Sequence, residues 1–175
     1  MIKIIATLLT LFAFNVSHAK VNVGIILGFT GPIETLTPGM SAGAELAFNE
    51  AADSGKLLNG QGINIIKVDS TCVDSAAATS AAESLISQGV TAIMGADCSG
   101  VTGAVLSNVA VPNGVPMISP SATSPGLTTA PDNGLFFRTA PSDARGGEVL
   151  ADITSSRGIS SVAITYVNTD YGVGL

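Results

Sequence analysis

The sequence predicts an α/β fold, a doubly wound parallel sheet with helices on both faces. Short apolar and β-branched runs of strand length recur along the chain, and the first of them covers residues 21–27. Stretches with apolar residues at helical spacing separate these runs, and Gly or Pro stands at most of the boundaries. Strands that alternate with helices are joined by right-handed crossovers, so the strands of such a sheet run parallel.

Six strands are expected, because six short runs combine apolar or β-branched residues with flanking turn residues. They cover residues 21–27, 64–69, 92–95, 115–118, 135–138 and 161–167. The Ser, Thr and Pro-rich stretch 119–131 is expected to be a long connection within the fold.

Four helices are expected between these strands. They cover residues 40–55, 75–89, 99–111 and 142–157. Asp74 or Ser75 is the expected N-cap of the second helix, and Pro112 is expected to end the third. The apolar faces of the first two helices are expected to contain Ala44, Leu46, Phe48 and Ala51, and Ala77, Ala81, Leu85 and Ile86.

Residues 1–19 have the features of a cleavable secretory signal peptide, which predicts a periplasmic location. Lys3 precedes an apolar stretch at 4–14, and Ser17-His18-Ala19 supplies a small-residue cleavage site before Lys20. A transmembrane anchor is the weaker alternative, because a membrane span needs about 20 apolar residues. The mature chain does not begin with Cys, which argues against a lipid anchor.

Composition narrows the classes of function. Seven Lys and Arg residues stand against thirteen Asp and Glu, for a formal net charge of −6. The basic residues are scattered, so nucleic acid is not an expected partner. The single His lies in the predicted signal peptide, which excludes an imidazole-based triad or zinc site from the remaining residues. No cofactor and no metal are expected.

Cys72 and Cys98 form an even pair in a chain that is expected to be exported. Such a pair favours a disulfide, and two free buried thiols are the alternative. A bond between them would close a loop in the unfolded chain, which the chain-entropy model predicts to stabilise the folded protein by roughly 3 kcal/mol.

Candidate binding residues follow from the fold class, because ligands of doubly wound sheets bind beyond the carboxyl ends of the strands. The segments at those ends are 28–36, 70–74, 96–100, 119–124 and 168–172. Ser99 begins a helix directly after a strand, where free N–H groups and the helix dipole suit a carboxylate. The alternative is that Ser99 only caps the helix.

Two further segments offer polar or aromatic groups at strand ends. Ser121-Ala122-Thr123 could receive an ammonium and a carboxylate together, although a Ser/Thr cluster of this kind is more often a plain turn. Tyr171 could form an aromatic wall, although a lone Tyr near a helix start is usually a packing residue.

Two other kinds of site are not supported. Gly95 and Gly100 have the spacing of a phosphate-binding loop, but Val101-Thr102 stands where that loop needs Lys followed by Ser or Thr. Four acidic residues near strand ends lack the spacing of an acid/base pair and are interpreted as caps or surface charges. They are Asp69, Asp74, Asp97 and Asp170.

An ordered series of short motifs resembles the leucine/isoleucine/valine-binding protein family, the type I periplasmic substrate-binding proteins of ABC transporters. The series spans nearly all of the chain after residue 19. It consists of Gly31-Pro32, residues 43–47, Asp69-Ser-Thr-Cys72, residues 89–95 with Cys98-Ser99, residues 118–128, Phe137-Arg-Thr139 and residues 171–175.

The resemblance implies a two-lobed clamshell, with a first lobe at residues 20–139 and the beginning of a second lobe at 140–175. It implies a Cys72–Cys98 disulfide. It also implies that Ser99 and Thr123 hold the ligand's α-carboxylate, and that the main chain at Ser121 and the Thr123 hydroxyl receive the ammonium. Tyr171 would close over the ligand from the second lobe.

The function that this resemblance implies is periplasmic capture of an amino acid, branched-chain-like, or of a related small polar solute, for import. The partners would be that ligand and an ABC permease in the inner membrane; the protein would be a monomer and not an enzyme. Leu36 stands where branched-chain binders often have an aromatic residue, which leaves the ligand open.

Two alternatives remain at this point. The same fold serves as the ligand-sensing domain of receptors and regulators, and a secreted α/β enzyme would need its catalytic groups elsewhere, since no nucleophile elbow is present. The sequence stops soon after its last expected strand, where a helix should begin, so an N-terminal fragment of a longer protein is expected.

Overall fold

The computed structural model describes residues 20–56 and 60–175, so the predicted signal peptide lies outside the described residues. Five strands form one sheet in the order β2-β1-β3-β4-β5, and every neighbouring pair is parallel. The strands are β1 (Val21–Leu27), β2 (Ile63–Asp69), β3 (Ile93–Gly95), β4 (Met117–Ser119) and β5 (Phe136–Arg138). Five of the six predicted strands are therefore confirmed.

The helices lie between these strands, as the alternating pattern predicts. They are α1 (Thr37–Asp53), α2 (Ser75–Ser87), α3 (Ser99–Val105), α4 (Val111–Asn113), α5 (Asp143–Ser156) and α6 (Asp170–Gly174). A π-helical segment, Leu106–Ala110, joins α3 to α4, and a 3-10 turn covers Pro125–Thr128. Among the described residues, no helix combines the length and the apolar character that crossing a membrane requires.

The centre of the core is β1, whose residues Val23 to Leu27 are all buried. Burial of consecutive residues means that both faces of the strand are covered, as in a parallel sheet with helices on each side. Helix α2 packs on this strand. A Cβ on Gly24 would lie 2.7 Å from Leu85 Cδ1. The glycine therefore leaves the space over the strand that the Leu85 side chain fills.

Three details of the helices differ from the sequence-based expectation. Leu46 is 59% exposed, although its spacing placed it on the apolar face of α1. The third helical run continues through Pro112 to Asn113, because a proline is tolerated at the first turn of a helical segment and the π-helical segment ends just before it. The buried residues of α2 are Ala78, Ala82 and Leu85, one position along from the expected Ala77 and Ala81.

The sixth predicted strand is not formed. Residues 161–167 have no strand hydrogen bonding, and the apolar side chains of Val162, Ile164 and Tyr166 are 61%, 81% and 62% exposed. A strand exists only where a neighbour accepts and donates ladder hydrogen bonds. Within the described part of the chain, the backbone of this segment lies beside none of the five strands.

The order of the strands determines where a ligand can bind. The chain passes from β1 to β2 on one side and then crosses to β3 on the other, so the order reverses between β1 and β3. The loops that follow these two strands separate at this point and leave a crevice beyond their carboxyl ends.

Candidate functional site

A cleft of about 780 Å³ lies at the carboxyl ends of the strands. Its lining comes from the loop after β1 and the first turn of α1, from the segments after β2, β3 and β4, from the start of α5, and from the start of α6 with the residues before it. The lining residues are Pro32, Ile33, Leu36, Met40, Cys72, Val73, Ser75, Asp97, Cys98, Ser99, Gly100, Val101, Ser121, Thr123, Asp143, Val167, Thr169, Asp170 and Tyr171. Four of the five predicted ligand-binding residues, Ser99, Ser121, Thr123 and Tyr171, are therefore brought together.

Asp97 fixes the floor of the cleft. Its carboxylate accepts hydrogen bonds from the Gly28 amide at 2.7 Å, the Ser70 hydroxyl at 3.2 Å and the Cys98 amide at 3.0 Å. These donors follow β1, β2 and β3, so one side chain holds three strand ends together. The residue is 2% exposed, and its interpretation as a cap or surface charge was wrong.

The Cys72–Cys98 disulfide is present and lies in the cleft wall. Its Cα atoms are 5.2 Å apart, and the bond links the loop after β2 to the residue before Ser99. Thr71 and Cys72 have φ values of 58° and 69°. This left-handed backbone turns the chain toward the cleft.

Ser99 is the first residue of α3, and Cys98 occupies the N-cap position without a side-chain capping bond. The Ser99 hydroxyl oxygen accepts a hydrogen bond from the Ser124 amide at 3.1 Å, so its own proton is free to be donated. The amides of Ser99, Gly100 and Val101 have no acceptor among the described residues. This cluster of donors is of the kind that binds a carboxylate at a helix N-terminus.

The turn after β4 is built on the fully buried Ser119. Its hydroxyl donates to the carbonyl of Ala96 and accepts from the amides of Ser121 and Ala122, at 3.4 and 3.0 Å. The Ser121 hydroxyl in turn donates to the Asp97 carbonyl at 2.9 Å. The Ser121 carbonyl is left without a donor among the described residues.

Ala122 does not reach the cleft. It is fully buried, its amide is bonded to Ser119, and its carbonyl accepts from Arg138 Nη1 at 3.3 Å. The same arginine donates to the Ser124 carbonyl at 2.9 Å and to the Thr128 hydroxyl. Arg138 at the end of β5 thus holds the loop that carries Ser121 and Thr123.

Thr123 and Asp143 are joined through the backbone. The Asp143 amide donates to the Thr123 carbonyl at 3.0 Å. The Thr123 amide and hydroxyl have no partner among the described residues, and neither has the Asp143 carboxylate, whose Oδ2 is buried. Both residues line the cleft.

The remaining acidic residues at strand ends have different roles. Asp74 caps α2 by accepting from the amides of Ala76 and Ala77, as predicted. Asp69 lies outside the cleft lining and binds the loop after β1 through Thr30. Burial opposes the charged form of Asp69, but hydrogen bonds from the Thr30 hydroxyl and the amides of Thr71 and Thr30 outweigh it, so its pKa lies below the ordinary value.

Tyr171 lies in α6, which Thr169 caps by accepting from the Gly172 amide at 3.3 Å. Tyr171 is 44% exposed and lines the cleft, as does Leu36, which is 59% exposed and follows β1. A second, smaller cavity of about 420 Å³ shares Ser99 and Asp170 with the cleft.

Three positions of this site escaped the sequence analysis as individual residues. Ser119 and Arg138 have partners 10 to 23 residues away, and the Asp143 carboxylate has no partner among the described residues. Such contacts leave no local pattern in the sequence. The motif Phe137-Arg-Thr139 pointed to the neighbourhood of Arg138, but not to the loop that it holds.

A family model described as "Periplasmic binding protein" matches residues 20–175. The Leu/Ile/Val-binding protein BraC3 of Rhizobium johnstonii is 32% identical over 174 residues, which cover 97% of this chain and 46% of that protein. The chain therefore spans less than half the length of this relative.

Solved structures give the same result for the fold. The branched-chain amino acid transporter substrate-binding protein LivJ of Streptococcus pneumoniae, in complex with isoleucine, has a TM-score of 0.69 and 29% identity over 79% of this chain and 39% of that chain. A solute-binding protein of an ABC transporter from R. palustris, in complex with benzoate, has a TM-score of 0.61 and 27% identity, covering 80% of this chain and 38% of that chain. The chain thus belongs to the periplasmic binding protein family, as the Leu/Ile/Val-binding proteins do.

Proposed function

We propose that the protein is the solute-binding component of an ABC transporter and binds an α-amino acid, branched-chain-like, or a related small polar solute in the periplasm. The observation that carries this proposal is the set of unpaired polar groups on Ser99, Ser121 and Thr123 around one cleft. A relative named as a Leu/Ile/Val-binding protein and a solved relative in complex with isoleucine support the same ligand class.

The carboxylate end of the ligand is assigned to the start of α3. The Ser99 hydroxyl, the first amides of α3 and the Thr123 amide supply donors, and the helix dipole adds a favourable field. The ammonium end is assigned to the Ser121 carbonyl and the Thr123 hydroxyl oxygen, which are free acceptors among the described residues. Ala122 serves this arrangement by holding the turn rather than by touching the ligand.

The side chain of the ligand would lie against the apolar part of the wall. Ile33, Leu36 and Val73 supply aliphatic surface, and Tyr171 supplies an aromatic group in the same cleft. Leu36 and Val73 are 59% and 68% exposed. Covering them with an apolar side chain would remove apolar surface from water, which favours a hydrophobic amino acid.

The proposal assigns residues 20–139 to the first lobe and 140–175 to the beginning of the second. Binding would close the two lobes on the solute, and the closed form would dock as a monomer on a permease in the inner membrane. The signal peptide at residues 1–19 would direct the protein to the periplasm. The role is binding without a chemical step.

Isothermal titration of the complete gene product against amino acids, amides and urea tests the proposal. We expect saturable 1:1 binding of at least one α-amino acid, and silence across the panel would contradict it. Uptake of the labelled ligand by cells with and without the gene then separates transport from sensing, because loss of a pure sensor leaves the permease able to work.

A further inference from the structure

Helix α6 ends directly against the turn that holds Ser99. A Cβ on Gly174, the last residue of α6, would lie 2.8 Å from Ser124 Oγ and 2.9 Å from Pro125 Cδ. We propose that Gly174 is a positioning residue of the binding site: it lets α6 lie against Ser124, and this contact sets the position of the Ser99 hydroxyl. The inference rests on the proposed function and names a residue that acts on affinity without touching the ligand.

Ser124 transmits this contact because all of its polar groups are engaged. Its amide donates to the Ser99 hydroxyl at 3.1 Å, its carbonyl accepts from Arg138 Nη1 at 2.9 Å, and its hydroxyl accepts from the Gly126 amide at 3.4 Å. The residue is 6% exposed. A group that presses on Ser124 would break the hydroxyl contact or shift the backbone, and a shift of the backbone moves the amide that holds Ser99.

The packing around Gly174 leaves no room for a methyl group. Real Cβ atoms essentially never lie within 3.0 Å of another heavy atom, and here two atoms would be closer than that. One of them, Pro125 Cδ, belongs to a rigid ring and cannot rotate away. A side chain at this position would therefore force α6 and the turn apart, as overpacking does in a core.

The neighbouring glycine of α6 has a different role. A Cβ on Gly172 would collide with the carbonyl oxygen of Val167, which belongs to the segment just before α6. Gly172 thus shapes the approach to its own helix. Gly174 is the residue through which α6 comes close to Ser124 and Pro125.

Gly174 does not reach a ligand in the cleft. It lines the second cavity of about 420 Å³ together with Ser124, and the lining of the 780 Å³ cleft does not include it. Ser99 lines both spaces. An effect of Gly174 on affinity must therefore pass through the protein, either by way of the Ser124 amide to Ser99 or along α6 to Tyr171. The experiment separates these two routes.

The test is a double-mutant cycle on the complete gene product. Isothermal titration of the wild type with L-leucine, L-isoleucine and L-phenylalanine identifies the tightest of these three ligands. That amino acid is then titrated into Gly174→Ala, Ser99→Ala and the double variant. Gly147→Ala in α5 is the matched control, since a Cβ there would meet no atom within 4 Å.

We expect Gly174→Ala to weaken binding about tenfold, with no loss in Gly147→Ala. In the Ser99→Ala background the same change should cost less than about twofold, because the hydroxyl that it displaces is already gone. An equal loss in both backgrounds would overturn the inference and favour the route through Tyr171. Unchanged affinity in Gly174→Ala would overturn it as well, while solute binding stands. Binding of none of the three amino acids by the wild type would instead contradict the amino-acid function, and this inference with it.

Thermal unfolding of each ligand-free variant distinguishes a loss of structure from a loss of position. Ser124→Thr carries the same test if Gly174→Ala does not fold. It adds a methyl group from the other side of the contact and keeps the amide that holds Ser99. Its loss of affinity should likewise disappear in the Ser99→Ala background, and a loss that persists there would count against the inference.

Discussion

Ser99 could be placed at the site from the sequence because it follows a strand and begins a helix, and both facts are local. Its partner, the Ser124 amide, is 25 residues away. Ser99 is not the cap of α3, because Cys98 occupies the N-cap position, and its hydroxyl proton remains free to be donated. Asp143 is the opposite case. Only the positions of its neighbours reveal that the carboxylate has no partner within the described part of the chain, so no spacing rule could identify it.

Replacing Ser99 with Ala is expected to weaken ligand binding roughly tenfold to over a hundredfold. The hydroxyl supplies one charge-assisted hydrogen bond to a carboxylate, worth about 1.5 to 3 kcal/mol. Isothermal titration with the best-binding amino acid measures the effect. Ser107→Ala is the matched control, since this exposed serine bonds only to its own helical run and to Asn108. Equal losses in both variants would contradict a role in binding.

Asp69 should make stability depend on acidity. Its pKa lies below the ordinary value of 3.8 in the folded protein, so its contribution is present above about pH 4 and is lost as pH falls through the lowered pKa. Asp69→Asn should thus reduce the free energy of unfolding at pH 7 and have little effect at the acid end. Urea unfolding across this range, with Asp152→Asn for comparison, measures the difference. A deficit of Asp69→Asn that is constant with pH would argue against this origin.

At the scale of elements, prediction succeeded where a strand or helix carries its own signal. Strand β1 has the predicted bounds because five of its seven residues are apolar, four of them β-branched, and Lys20 and Gly28 flank them. The segment 161–167 carries an equally strong signal but forms no strand, since a strand also needs a neighbour. Leu46 shows the same limit for helices: spacing defines a face of α1, but only the packing decides whether that face is covered.

Arg138 links an element of the sheet to the binding loop, so its loss should act on the ligand at a distance. Arg138→Met keeps the aliphatic stem but removes the bonds to Ala122, Ser124 and Thr128. We expect weaker binding by about tenfold and a loss of roughly 1 to 3 kcal/mol in unfolding free energy. Titration calorimetry and urea unfolding measure the two quantities.

The control for this change is Arg157→Met at the end of α5, where the arginine side chain has no hydrogen bond among the described residues. It should alter neither quantity. Normal affinity in Arg138→Met would mean that the loop keeps its shape without the arginine.

On the scale of the whole molecule, the buried apolar residues and the exposed apolar residues are concentrated in different parts of the chain. Residues 21–138 build a sheet with a buried core, whereas α5 has no buried residue and the segment after it exposes one apolar side chain after another. Fold class, strand order and the position of the cleft follow from the first part. The boundary between lobes at residues 139 and 140 stays a prediction, because it depends on what covers the second part.

The exposed segment should make the isolated chain of residues 20–175 bind a hydrophobic dye. Val162 and Ile164 are 61% and 81% exposed, and contiguous apolar surface of this kind attracts such probes and promotes association. Changing both residues to Thr should lower the fluorescence of added ANS and the tendency to associate in size-exclusion chromatography. Val73→Thr, a single exposed change in the cleft, should have a smaller effect. Dye binding that is the same in all three proteins would show that this surface is covered in solution.

The disulfide has a practical consequence for every measurement of affinity. It holds Cys98, and with it Ser99, against the loop after β2. A recombinant preparation made in a reducing cytosol would lack this bond, and Ser99 would depend on hydrogen bonds alone for its position. Material for calorimetry should therefore be secreted or oxidatively refolded, with the absence of free thiols checked by alkylation and mass spectrometry. Otherwise a titration without binding heat would reflect the missing disulfide of the sample and would not measure the affinity of the native protein.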